Sequence, residues 1–284
     1  MGNKGETKIL AVFTLFHPDT PILINLITHC LNYSGCDVFL SDNAEFDHDI
    51  LKNPRVTYHR NAGNLGLGAA QNVGLRVAIE KNYDLAILFD QDSEIAPDFL
   101  EFYIHEFQKA RENNPNIIAG GPAIIDPRLE NSASVSEIKP NRFHKFVIAS
   151  GCMISVPELK KVGLMDEKLF IYHVDSEWCY RVRAKGYYIM KFYNVAMRHT
   201  MGEIREVKWL GKVYYHKAPL YYYFFRNSII LARQPYVSWS DKLKIVLTGR
   251  QNLKLAAKIP FLDHRWERFK GMCKGMWDGI CYKV

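Results

Sequence analysis

The sequence has no Cys-x-x-Cys pair: its six cysteines, Cys30, Cys36, Cys152, Cys179, Cys273 and Cys281, are scattered. That excludes the spacing of a structural zinc site and a dense disulfide framework, and it fits a reducing compartment. No two histidines have the His-x-x-x-His spacing of a helical metal site. No run reaches the roughly 18 uncharged apolar residues of a membrane span, because Arg226 and Asn227 interrupt the aromatic stretch 221–225 before Ile229. Internal repeats and low-complexity segments are missing too, so disordered and fibrous classes drop out. Acids are scarce after position 240, where Lys242, Lys244, Arg250, Lys254, Lys258, Arg265, Arg268, Lys270, Lys274 and Lys283 hold most of the net charge of +7. Such a tail favours an anionic partner, membrane lipid or nucleic acid.

At 284 residues and 48% hydrophobic, the chain is long enough for one large domain with an appendage or for two small domains. The apolar stretch 9–16 is broken by His17, Pro18 and Asp19 and lacks a cleavage pattern, so it is expected to be a first strand rather than a signal peptide. Its lack of alternation predicts a strand buried on both faces. Pro21 then opens a helix with Asp19 or Thr20 as cap. Short β-rich runs at 38–40, 56–58, 85–89 and 117–119 alternate with helical periodicity over 68–82 and 99–107. That is the pattern of βαβ units around a mainly parallel sheet. Residues 125–146 are polar and weakly patterned and predict a long loop. Residues 150–154 resume the core. A helix over 175–185 closes at Gly186, and basic amphipathic helices follow Trp239.

Polar groups collect at strand ends, where open α/β sheets bind ligands. Asp90 and Asp92 flank Gln91 at the end of one strand, so both carboxylates leave the same face. That suits a hard divalent cation bridging carboxylate to diphosphate, although an isolated Asp-x-Asp is more often a solvated turn. Asp42, at the end of a second strand, is placed to accept the imide N–H of a pyrimidine or to serve as a plain turn residue. The loop at Asn64 and Gly66 feeds a helix N-terminus and lets backbone N–H groups approach a phosphate or ribose. Asp175 begins a helix whose dipole favours the ionised carboxylate, leaving it an N-cap, a proton acceptor or both. His199 follows a β-rich segment and offers a nitrogen to the same cation.

In order and spacing these pieces resemble glycosyltransferase family 2, the inverting enzymes of GT-A fold, over residues 7–235. The resemblance rests on 14–18, Ser41-Asp42-Asn43, Asn64-Leu65-Gly66 with Asn72 and Gly74, Asp90-Gln91-Asp92-Ser93, and Val174-Asp175 with Glu177, Trp178, Arg181 and Gly186. Phe-Asp-Gln-Asp-Ser and Val-Asp-Ser-Glu-Trp-Cys look most like the rhamnosyltransferase branch that builds bacterial surface polysaccharides.

The resemblance implies a GT-A domain over 1–238 and a basic helical tail over 239–284. It implies Asp175 as catalytic base, with Phe16, Asp42, Asn64, Gly66, Asn72, Asp90 and Gln91 on the nucleotide sugar. Asp92, His199 and Asp90 would hold manganese or magnesium, and Glu177, Trp178, Arg181 and Arg226 would meet the acceptor. Where the family often has Pro-Leu-Arg, this chain has Pro219-Leu220-Tyr221. The implied partners are a dTDP- or UDP-sugar and a saccharide acceptor, lipid-linked at the inner face of the bacterial cell membrane, with no nucleic acid. The tail, with Trp239, Trp266, Phe269 and Trp277 among its cations, is either a membrane-surface anchor or a helix packing its aromatics on the main domain. Two rivals remain at this stage. A nucleotidyltransferase would need a basic, glycine-rich loop near the first strand, and a nucleic-acid-binding protein would use the tail alone.

Overall fold

The computed structural model describes residues 6–129, 139–200, 202–208, 211–246 and 255–283. Residues 130–138 of the expected loop, and Arg250 and Lys254 of the tail, lie outside them. Strand β1 (Ile9–Leu15) is the centre of the molecule. Its odd-numbered residues Ile9, Ala11, Phe13 and Leu15 pack toward helices α1 (Thr20–Leu31) and α3 (Phe99–Asn113). Leu10 and Val12 pack on the opposite face, toward α2 (Leu67–Glu80), α4 (Val156–Val162) and α5 (Val174–Ala184). The strand is apolar apart from the half-buried Thr14 because both its faces are covered, and each buried Leu or Ile contributes about 1.5–3 kcal/mol. At α1 the cap is Asp19, whose Oδ1 accepts the Ile22 N–H at 3.3 Å.

Around β1 lie β2 (Cys36–Asp42), β3 (Val56–Arg60), β4 (Leu85–Asp90), β5 (Ile117–Ile125), β6 (Arg142–Phe143), β7 (Cys152–Ser155) and β8 (Tyr188–Arg198). The sheet order is β3-β2-β1-β4-β7-β5-β8-β6. β7 is antiparallel to β4 and β5, and β6 to β8; the other pairings are parallel. The chain is therefore an α/β, mainly parallel sheet flanked by helices. In register, Leu15 pairs with Asp42 and Thr14 with Asp90. The acids ending β2 and β4 thus flank the end of β1, two strand spacings or roughly 10 Å apart.

An antiparallel pair of β9 (Glu203–Val207) and β10 (Gly211–Tyr215) follows, unforeseen in the sequence because β9 alternates charged residues with only two apolar ones. Next come α6 (Leu220–Arg233), α7 (Trp239–Val246) and α8 (Arg265–Cys281). The tail helix α8 lies along α6. Gly275 makes this approach possible, since a Cβ there would collide with the backbone of Tyr222. The buried Arg268 pins it: its Nε donates to Asp263 O at 2.7 Å, its second nitrogen donates to Asp263 Oδ1 at 2.6 Å, and the guanidinium covers the rings of Tyr215 and Tyr221. Among the described residues no helix is long and apolar enough to cross a membrane.

Candidate active site

β4 ends at Asp90, and the turn after it carries Asp92 and Ser93. The next residue, Glu94, exchanges two backbone hydrogen bonds of 2.9 Å with Arg198, the last residue of β8. That staple delivers His199 to the two acids. Its Nε2 lies 3.5 Å from Asp90 Oδ2 and its Nδ1 3.5 Å from Asp92 Oδ1. One ligand atom from each of the three side chains falls within 4.8 Å of the others. Behind them is a serine pair, of which Ser93 belongs to the motif noted in the sequence and Ser150 carries no sequence signal. Ser150 Oγ accepts the Asp90 N–H at 3.1 Å and meets Ser93 Oγ at 2.6 Å, and Ser93 Oγ lies 3.2 Å from His199 Nδ1.

Asp90 is pushed up to about 6, first by burial in the cleft and then by the like charges of Asp92 and Asp175, against the opposing pull of His199. Burial raises Asp175 as well, partly offset by the N–H and hydroxyl of Ser176. Three carboxylates therefore interact here, and among the described residues His199 is the imidazole grouped with Asp90 and Asp92. Two carboxylates and an imidazole fit manganese well, and magnesium through the acids. A divalent cation would offset the surplus negative charge.

Asp175 is aimed by an unusual loop. Phe170, Tyr172 and His173 all have φ near +60°, and Phe170 centres a γ-turn closed by Ile171 N–H to Leu169 O at 2.7 Å. Non-glycine residues in such conformations cost about 1–3 kcal/mol each unless their surroundings enforce them. α6 supplies the enforcement. The buried Asn227 amide donates to the carbonyls of Leu169 and Ile171 at 2.7 Å and of Tyr172 at 3.2 Å. Ser228 Oγ sits 2.9 Å from His173 Nε2, and the Phe170 ring stacks on Tyr223 at 4.8 Å. Burial drops His173 to about 4, so it is neutral at physiological pH. Against this loop lies Gly66, where a Cβ would come within 2.6 Å of the Phe170 ring and carbonyl oxygen. Close approach to Phe170, together with a φ of +83°, is what this glycine permits.

At the other end of the cleft, Asp42 is fully buried. Its Oδ2 takes Tyr58 OH at 2.8 Å and His48 Nδ1 at 2.5 Å, and its Oδ1 takes the Ala44 N–H at 2.9 Å. It is closed to solvent and braces His48 from behind. Phe16, 44% exposed, stands nearby in a chain of rings running through His17 and Phe46 to His48. Gln91 fixes Phe16: its Oε1 accepts the Phe16 N–H at 2.7 Å and its Nε2 donates to Phe16 O at 3.1 Å.

The structure thus brings Asp90, Asp92 and His199 together, places Asp175 near enough to act on Asp90 electrostatically, and leaves Phe16 and Asn64 exposed. Several other expected contacts are interior braces. Asn72 is buried and staples α2 to Met165 by two hydrogen bonds of 2.9 Å. Glu177, 2% exposed, is gripped by Arg181 and by Tyr236 OH at 2.6 Å. Arg181 also donates to Val162 O and Leu164 O, and the buried Trp178 donates to Gly163 O at 3.0 Å. Arg226 reaches Lys168 O at 3.1 Å and covers the Tyr282 ring. Trp178 and Arg181 thus bind the backbone at 162–164, Glu177 binds Arg181 and Tyr236, and Arg226 binds the backbone at Lys168. His48 was missed: a lone histidine in a polar loop carries no spacing signal.

Parallel strand ends converging on an Asp-x-Asp turn and a histidine define a glycosyltransferase of GT-A fold. The chain belongs to glycosyltransferase family 2: the Glycosyl transferase family 2 profile matches residues 22–154, and a curated relative confirms the membership. That relative is the dTDP-rhamnosyl transferase RfbF of Shigella flexneri, 31% identical over 253 residues, with 82% of each chain covered. A second, the low-salt glycan biosynthesis hexosyltransferase Agl10 of Haloferax volcanii, is 26% identical over 145 residues, 46% of this chain and 47% of that one. Residues 1–349 of S. aureus TarS in complex with UDP match with a TM-score of 0.61 at 11% identity, covering 96% of this chain and 80% of that one. The chain spans 44% of a longer TarS chain. GalNAc-T7 with UDP, GalNAc and Mn2+ matches with a TM-score of 0.56 at 14% identity, over 91% of this chain and 59% of that one. At those identities the structural likeness shows the fold.

Proposed function

We propose that the enzyme transfers rhamnose from dTDP-rhamnose, with inversion, to a hydroxyl of a lipid-linked saccharide in bacterial surface polysaccharide synthesis, at the cytoplasmic face of the membrane. The observation that carries this reading is the Asp90, Asp92 and His199 group beside Asp175, whose preceding loop α6 holds in place, in a chain related to a dTDP-rhamnosyl transferase. Asp175 takes the proton of the acceptor hydroxyl as that oxygen bonds to the anomeric carbon. The bond from that carbon to the diphosphate breaks, and its electron pair leaves with the nucleotide. Asp90, Asp92 and His199 would hold a manganese or magnesium ion, which supplies charge neutralisation of the diphosphate. Phe16 offers its exposed face to the base.

Because Asp42 and Tyr58 are bonded to each other, His48 is the member of the Asp42, Tyr58 and His48 cluster left to read the base. In the tautomer that donates Nδ1–H to Asp42, Nε2 would present a lone pair, and it has no protein partner among the described residues. That lone pair matches the imide N–H of thymine or uracil. Thermal stabilisation by dTDP-, UDP- and GDP-sugars, with and without manganese, tests the donor. The largest shift is expected for dTDP-rhamnose with metal, and an equal response to GDP-sugars refutes the assignment. For His48→Ala, calorimetry should show dTDP affinity weakened about 2- to 10-fold, the worth of one hydrogen bond. An analogue methylated on the imide nitrogen should bind wild type and variant alike; a wild type indifferent to that methyl group would remove His48 from base reading.

A further inference from the structure

The sequence leaves open whether the tail's aromatics face a membrane or the protein. In the structure α8 packs on α6 through Arg268, Gly271, Gly275 and Gly279, and its aromatics point away. Trp266 (68% exposed), Phe269 (45%), Met276 (41%), Trp277 (67%) and Ile280 (56%) are the large apolar residues on its outer side. At helical spacing they fall on one arc of about 100°, opposite the glycines. Lys270 and Lys274 flank the arc on one side and Arg265 on the other, all exposed. The acids that would oppose them are largely consumed: Asp278 accepts Tyr222 OH at 2.8 Å, and Asp263 is bound to Arg268 and to Tyr215. Glu267 remains exposed beside His264.

We infer that the outer face of α8 is a fixed ridge that inserts into an anionic lipid surface, with Trp266 and Trp277 at the acyl boundary and Lys270, Lys274 and Arg265 on the headgroups. Tryptophans on an apolar arc flanked by lysines suit the bilayer interface, where the ring is apolar at one edge and polar at the other and lysine stems extend to the charged layer. The flanking positive charge selects anionic lipid over a neutral partner. The ridge is not a free tail. Arg233 donates to the carbonyls of Gly279 and Ile280 at the end of α8, locking it to α6. The same α6 carries Asn227 and Ser228, which hold the loop before Asp175. A bilayer under α8 therefore sets the height of the catalytic cleft above the membrane. This deepens the membrane placement of the acceptor proposed above without depending on which sugar is moved.

The test is flotation of the full chain, with no nucleotide sugar or acceptor present, on vesicles of phosphatidylglycerol and phosphatidylcholine in equal parts and on phosphatidylcholine alone. The chain is expected to float with the anionic vesicles and much less with the neutral ones. Partitioning should fall more than about tenfold in Trp266→Glu/Trp277→Glu and roughly fivefold for each of Lys270→Gln and Lys274→Gln. Both tryptophans are about two-thirds exposed, so the double variant should melt with the wild type. Wild type that stays at the bottom, or a double variant that floats equally well, overturns the ridge. So does a wild-type dimer that the double variant converts to monomer, since the arc would then cover a second copy. Transfer to a water-soluble acceptor, measured on the same variants, reports on the chemistry separately.

Discussion

Asp175→Asn is expected to lower turnover by about 10²- to 10⁴-fold, the contribution of a positioned general base, with little change in dTDP affinity. The substitution keeps the shape of the side chain and the acceptor for Ser176 N–H at 2.7 Å. It should also leave the fold at least as stable. Burial raises the Asp175 pKa, so at neutral pH the folded protein carries the cost of an ionised carboxylate, which asparagine removes. Single-turnover transfer, calorimetric dTDP binding and thermal melting together check this. Near-normal turnover in a folded variant sinks the assignment. The direction of the shift also fixes a pH profile. The base works only when deprotonated, so activity should climb as pH rises through a value above that of an ordinary aspartate, and the acid limb should vanish in the variant.

Loss of the cation site is the second large effect. Outer partners of metal ligands are typically worth 10- to 100-fold in affinity, so Asp92→Ala or His199→Ala should weaken manganese binding by at least about a hundredfold. Ser93→Ala, behind the histidine, should fall near the lower figure. Transfer should drop by about 10²- to 10³-fold, as several kcal/mol of charge stabilisation on the leaving diphosphate disappear. Manganese binding followed by electron paramagnetic resonance gives a readout independent of turnover. Full activity after exhaustive chelation, restored by no metal, would contradict the site.

The sheet was legible because its physics is local. A strand buried on both faces is apolar nearly throughout, and in residues 9–15 only Thr14 departs from that. A carboxylate at a strand end marks a ligand-side edge, and Asp90 and Asp92 stand there, with Asp175 at a helix start. The loop at Phe170 was not legible, because three non-glycine residues with positive φ contradict local preference. They are held by Asn227, more than 50 positions away. Nor was the pairing of β9 with β10, since β9 itself carries no buried residue to mark a strand.

By itself the sequence determined the layer architecture, the order of acids along the strand ends and the family. Periodicity and strand-end chemistry are properties of neighbouring residues. Only the tertiary structure decided which of those polar groups are free. Asp42, Asn72, Glu177 and Arg181 are engaged in part by groups distant in the chain, Tyr58, Met165, Tyr236 and Leu164, since a buried donor or acceptor must be satisfied wherever the fold brings one. His199, by contrast, reaches Asp90 and Asp92 only through the staple between Glu94 and Arg198. The direction of the tail's aromatics was settled the same way: the glycines of α8 allow close approach to α6, and that contact turns the tryptophans outward.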